Sequence, residues 1–133
     1  MTQAFRLAEH VRARRDFERA YNEGARIHGR FMIVFVLPNG GTTPRLGVSA
    51  TRKLGSAVER NRAKRLAREL FRRRKLDAGV DIIVVPRREM LDAPFATLEA
   101  DYHALLDRRD SVRPGGGKRA PRGRPRAGGN PRV

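Results

Sequence analysis

Ser56 and, three residues later, Glu59 form a capping box, which fixes the start of one helix more firmly than any other signal in the chain. The Ser56 hydroxyl is placed to accept from the Glu59 amide, while the Glu59 carboxylate reaches back to the Ser56 amide. From that start, about 100° per residue puts Ala63, Leu66, Ala67, Leu70 and Phe71 on one face. Asn61, Lys64, Arg65, Arg68 and Arg72 fall on the other. One face of residues 52–75 can pack while the other offers cations.

Charge narrows the partner. Thirty Lys and Arg against fourteen Asp and Glu leave 133 residues at +16, with a pI of about 11.7. So much like charge favours a polyanion, nucleic acid first. Arg far outnumbers Lys, which suits phosphate recognition by a planar donor fork. Like charges at i,i+4 on the capped helix cost a few tenths of a kcal/mol each, with Glu69 alone close enough to offset them. Repulsion accepted along a whole helix points to an anionic ligand. The Gly55 turn and the helix N-terminus add free amides and a positive dipole, with Arg52 and Lys53 just before them.

Other chemistries find little support. The chain has no cysteine, which excludes disulfides and thiolate sites. No apolar stretch approaches the roughly 20 residues of a membrane span, and the N-terminus lacks a secretory segment, so a cytoplasmic protein without membrane contact is expected. His10, His28 and His103 show no metal-ligand spacing, and no HExxH, GxSxG or Walker pattern is present. Asp16, Glu18, Asp77 and Asp81 are acids able in principle to hold Mg²⁺, but a two-metal nuclease needs acids converging from several elements. No catalytic residue, metal ligand set or small-molecule substrate is expected.

Along the chain, residues 1–13 read as an extended arm and residues 14–23 as a short helix carrying Phe17, Ala20 and Tyr21 on one face, with Gly24 in the usual C′ place. From Ile27 to Leu37 a nearly continuous apolar run suggests a strand buried on both faces. Pro38-Asn39-Gly40-Gly41 forces a turn, and Arg45–Thr51 reads as a second strand antiparallel to the first. Asp81–Pro86 is a further buried strand, joined to its predecessor by a strand–helix–strand crossover. Leu91–Leu106 reads as a last helix with Phe95, Leu98, Tyr102, Leu105 and Leu106 in its stripe and the Tyr102 hydroxyl exposed at the core margin. The class is α+β. Phe17 and Tyr21 at i,i+4 either belong to the core or stack unpaired bases at an open edge.

Beyond Asp110, Pro and Gly interleave with Arg, and no core can form. Arg113, Lys118, Arg119, Arg122, Arg124, Arg126 and Arg132 outnumber Asp110 and leave this tail at +6 of the total +16. A domain over 1–110 followed by a disordered basic tail over 111–133 is the expected organisation.

The run from Arg52 to Phe71, centred on Arg60-Asn61-Arg62 and followed by Lys64-Arg65 and Arg68, closely resembles the signature of the protein component of bacterial ribonuclease P. The likeness extends to Arg6-Leu7, Asp16-Phe17, Tyr21-Asn22-Glu23-Gly24, Arg45-Leu46-Gly47-Val48-Ser49 and Asp81 through Arg87. The resemblance implies an α-β-β-β-α-β-α two-layer sandwich, similar to the second domain of ribosomal protein S5, with a left-handed β-α-β crossover against the usual rule. It also implies that an RNA subunit cleaves precursor tRNA with Mg²⁺ bound chiefly by that RNA, while the protein aids substrate and metal binding. By position, Arg52, Lys53, Arg60, Asn61, Arg62, Lys64, Arg65 and Arg68 would face the catalytic RNA. Phe17 and Tyr21 would line a cleft holding the 5′ leader of precursor tRNA. Some relatives carry an aromatic where this chain has Val34, and Phe31, Phe35 and His28 are the nearby candidates for that contact. The rival reading of the residues is a ribosomal or other structural RNA-binding protein with no role in cleavage.

Overall fold

The computed structural model describes residues 9–74, 76 and 79–109. Its elements run α1 (Arg14–Glu23), β1 (Ala25–His28), β2 (Met32–Pro38), β3 (Arg45–Val48), α2 (Ala57–Arg73), β4 (Val80–Pro86), a 3-10 turn (Arg88–Leu91) and α3 (Phe95–Asp107). This is the α+β order that the resemblance implied. Residues 1–8 of the arm, with Arg6-Leu7, as well as Asp77 and the tail over 111–133, lie outside the described residues.

The apolar run expected to be one strand is two. The Gly29 amide donates to the Met32 carbonyl at 2.9 Å, and β1 folds back antiparallel on β2 with Ala25 opposite Val36 and His28 opposite Ile33. Periodicity hides this bend because apolar residues stand on both sides of it. The second expected strand ends at Val48, after which the Ser49 amide donates to the Val84 carbonyl and the chain turns away.

The sheet order is β1-β2-β4-β3. As expected, β3 runs antiparallel to β2, but the two are not neighbours. β4 lies between them, antiparallel to β2 and parallel to β3, so Ile83 faces Phe35 on one side and Gly47 on the other. Parallel pairing of β3 with β4 requires a crossover, and α2 supplies it. A central β4 also explains the unbroken Ile82-Ile83-Val84-Val85.

Side chains alternate between two buried faces. On one, Ile27, Met32, Val34, Leu46, Ile82 and Val84 meet Ala67, Leu70 and Phe71 of α2 and Leu98, Tyr102, Leu105 and Leu106 of α3. On the other, Phe35, Leu37 and Ile83 meet Phe17, Ala20 and Tyr21 of α1. The two-sided burial read from the sequence is therefore present, with α1 and Val11 of the segment before it on the second face. Arg73 donates to Glu99 at 2.8 Å and Arg74 to Asp107 at 2.7 Å, tying the end of α2 to α3.

Two expectations in the last helix change. It starts at Phe95, not Leu91, because Pro94 disfavours helical backbone at the residue before it. Tyr102 is wholly buried, and its hydroxyl has no hydrogen-bond partner among the described residues. Its place midway along the stripe, between Leu98 and Leu105, draws the ring to the centre, and burial pushes the phenol above its ordinary pKa.

Candidate nucleic-acid interface

On the α1 face the register sets side chains in rows. The first holds Leu37, Asp81 and Arg45; the second Arg26, Phe35, Ile83 and Gly47; the third His28, Ile33 and Val85. Burial falls along this series. Leu37, Asp81 and Ile83 are buried, Ile33 and Val85 partly so, and His28 is exposed. The face is closed by α1 at one end and open at the other, which makes a cleft.

The helix is held there by shape and by charge. A Cβ on Gly47 would stand 2.8 Å from the Phe17 ring, so only glycine lets Phe17 lie against β3. Tyr21 meets Phe35 nearly edge-on, with ring centroids 5.0 Å apart and 6.4 Å between Tyr21 and Phe17. The Arg26 guanidinium lies over the Phe35 ring at 5.6 Å. The structure thus brings Phe17, Tyr21 and Phe35 together. Phe31 is not with them: it packs into the opposite core beneath Arg30, 5.1 Å from its ring centroid. Val34 is likewise fully buried on that opposite side. Strand alternation decides Val34, since Phe35 and Ile33 point to the α1 face and Val34 to the other, whereas Phe31 precedes β2 and does not follow its alternation.

The capping box of α2 is formed as read, with the Ser56 hydroxyl accepting from the Glu59 amide at 3.2 Å and the Glu59 carboxylate from the Ser56 amide at 2.9 Å. That amide, and then Arg88, hold the Glu59 carboxyl below the usual carboxylate range. Gly55 has φ 151°, and a Cβ there would collide with the same carboxylate. Arg60 donates to the Gly55 carbonyl at 2.9 Å and Arg88 to the Leu54 carbonyl, so the turn carrying Arg52 and Lys53 is stitched from both sides.

Beyond the cap, Ala63, Ala67, Leu70 and Phe71 are buried, with Leu66 packed beside them. Arg52, Lys53, Asn61, Arg62, Arg65 and Arg68 are exposed, and Arg60 and Lys64 partly so. Arg72 bonds Glu69, which also faces Arg73 at 3.7 Å, so the far end of the helix is neutralised within the fold. The Val11 amide donates to the Leu46 carbonyl at 2.8 Å, laying the N-terminal segment along the outer edge of β3. Burial, Arg12 and Arg68 hold the His10 imidazole below its usual pKa. The cationic face of α2 therefore flanks the β3 edge.

Cations at the mouth of the cleft were missed by the sequence reading. Arg26 stands one pair from His28 on the same face, and Arg87 follows β4, donating to the Gly29 carbonyl at 3.1 Å. Burial and Arg87 hold Arg26 below the usual guanidinium range. An alternation signal, Arg26-Ile27-His28, was present, but it meant nothing until the hairpin was known. Of the acids considered for Mg²⁺, the three among the described residues, Asp16, Glu18 and Asp81, face arginines. Asp81 accepts two bonds from Arg45, which also faces Asp16 at 3.7 Å, and Glu18 pairs with Arg14. Among the described residues, no three His, Asp or Glu converge as a metal site.

Comparison with known proteins agrees with this architecture. Residues 5–110 match the family Ribonuclease P. The ribonuclease P protein component of Thermotoga sp. strain RQ2 is 40% identical over 114 residues, covering 81% of this chain and 97% of the relative. That of Oleidesulfovibrio alaskensis is 42% identical over 97 residues, covering 70% and 77%. Among solved structures, the RNase P protein from Thermotoga maritima superposes with a TM-score of 0.67 at 37% identity, covering 75% of this chain and 96% of that one. The Staphylococcus aureus RNase P protein gives 0.67 at 31%, covering 74% and 93%. Signature, fold and matched span agree, and this chain belongs to the ribonuclease P protein family.

Proposed function

We propose that the chain is the protein subunit of a cytoplasmic ribonucleoprotein endoribonuclease that removes 5′ leaders from precursor tRNA. Arg52, Lys53, Arg60, Asn61, Arg62, Lys64, Arg65 and Arg68 dock the catalytic RNA, and the cleft of Phe17, Tyr21 and Phe35 receives the leader. Phe31, offered by sequence for the same contact, is left out because it packs in the opposite core. The RNA performs the cleavage with Mg²⁺ that it holds chiefly itself, and the protein positions the substrate. The basic tail over 111–133 adds non-specific RNA contact.

One observation carries this reading. An aromatic cleft open at one end adjoins, and is distinct from, a helix face whose cations have few acids to pair with. Stacking at about 1–3 kcal/mol per base and phosphate contacts of steep salt dependence supply the affinity. The sharpest test is reconstitution with a bacterial ribonuclease P RNA at low Mg²⁺. Rescue of precursor cleavage, with little gain in affinity for mature tRNA, is the expected result. Cleavage by the protein alone, or equal affinity for precursor and mature tRNA, overturns it. The second outcome would favour a structural RNA-binding protein.

A further inference from the structure

One side chain of α2 runs against the chemistry around it. Val58 is 77% exposed, the only large apolar side chain so placed among the described residues. On an ordinary surface a single exposed valine asks for no explanation. This one is set in a row of polar and cationic groups. Asn61, Arg62 and Arg65, at i+3, i+4 and i+7, share its side of the helix, and all three are exposed.

Neither the core nor the helix accounts for Val58. It belongs to none of the three apolar clusters among the described residues. The capping box is made by Ser56 and Glu59, and the apolar staple that can support such a cap uses the residue before Ser56 and the fourth helical residue, Gly55 and Arg60 here. Val58 takes no part in either. A β-branched residue is also a poorer helix former than Ala, so the position is disfavoured by propensity as well as by exposure.

The surroundings suit an anion. Glu59, the acid next to Val58, is turned into the fold, accepting from the Ser56 amide at 2.9 Å and from Arg88 at 3.4 Å. Arg62 and Arg65 have no such partner among the described residues. Helical side chains lean toward the N-terminus, which carries the Asn61 amide and the Arg62 guanidinium toward the turn that bears Val58.

We infer that Val58 is a base-contacting residue of the RNA interface: its two methyl groups take the face of an unpaired base of the catalytic RNA, whose flanking phosphates lie with Arg62 and Arg65. This rests on the function proposed above and names what a cationic face leaves open. Guanidinium groups hold phosphates at many places along an RNA and carry no sequence information. An apolar side chain gains only where a base lies outside the helical stack with its face uncovered. Val58 thereby selects one place on the RNA, and Asn61 beside it can donate to and accept from the edge of the same base.

The test measures assembly with a bacterial ribonuclease P RNA across a range of salt for the wild type, Val58→Ala, Val58→Ile and Arg65→Ala, together with dimethyl sulfate reactivity of the RNA at saturating protein. Val58→Ala removes two carbons from the contact and should weaken assembly about tenfold, with the slope of log K against log salt unchanged. The free variant should melt no lower than the wild type, because Ala is the better helix former. A base protected by the wild type should react again in the Val58→Ala complex, and Val58→Ile should restore both affinity and protection. Arg65→Ala should lower the slope and leave that base protected. Unchanged affinity in Val58→Ala, a changed slope, a fall in melting midpoint that accounts for the loss or an unaltered pattern of base reactivity overturns the contact. A wild-type protein that does not bind the RNA instead overturns the proposed function, and the Val58 contact with it.

Discussion

Arg45 and Asp81 face each other across the parallel pair β3 and β4, and the guanidinium donates two hydrogen bonds of 2.7 Å to a carboxylate that is 1% exposed. Asn39 donates to the same carboxylate at 3.0 Å, and Asp16 of α1 approaches Arg45 at 3.7 Å. One buried charge thus joins the sheet, the β2–β3 connection and the helix that closes the cleft. Such a pair adds little net stability when well made, but loss of one partner strands the other.

Arg45→Met should therefore destabilise the fold by about 3 kcal/mol, since it leaves the Asp81 carboxylate buried without its main donor. Urea unfolding checks this. The double variant Arg45→Met with Asp81→Leu should recover most of the loss.

Gly47→Ala should push Phe17 off the sheet, because the new methyl would stand 2.8 Å from both the Phe17 ring and Ile83. The expected cost is about 1–3 kcal/mol by overpacking. Amide exchange should quicken in α1 before it does in β4, and discrimination between precursor and mature tRNA should fall.

Tyr21→Ala should weaken precursor binding about tenfold through one lost stacking partner, with affinity for the catalytic RNA unchanged. Phe17→Ala is the less clean probe, since Phe17 also fills the space over Gly47. Equal loss of precursor binding and assembly in Tyr21→Ala would place the ring in the core alone.

Arg65→Ala, on the exposed face of α2, should weaken assembly with the RNA and lower its salt slope by about one unit. Thermal unfolding of the free protein should hardly move. An unchanged slope removes Arg65 from the interface.

Acidification should cost stability in two stages. The His10 and His28 imidazoles lie below their ordinary 6.5 in the folded chain, so the unfolded chain takes up those protons first, and stability drops as pH falls below about that value. The Glu59 and Glu69 carboxyls lie below their ordinary 4.5, held down by the Ser56 amide and Arg72 respectively, so their contribution is full above it and is lost as pH falls through their folded values. His28→Asn should reduce the upper stage and Glu59→Gln the lower, read by urea midpoints from pH 8 down to about pH 3.

Local chemistry alone determined a good deal. A capping box requires only residues three apart, so the start of α2 and the division of its faces follow from Ser56, Glu59 and helical spacing. The family signature lies in the same run, so membership of the family was legible there too. The cleft was legible only in part. Phe17 and Tyr21 share a helix face by spacing, whereas the choice of Phe35 over Phe31 and Val34 depended on which side of the sheet each takes. That choice hinged on a bend at Gly29 hidden within an apolar run. Tertiary structure alone decided the insertion of β4 between β2 and β3, the grip of Arg45 on Asp81 and the gathering of Arg26, Arg87 and Arg108 around His28. These depend on pairing between segments 36 to 80 residues apart, where no local periodicity constrains the partner and only packing and the satisfaction of buried polar groups select it.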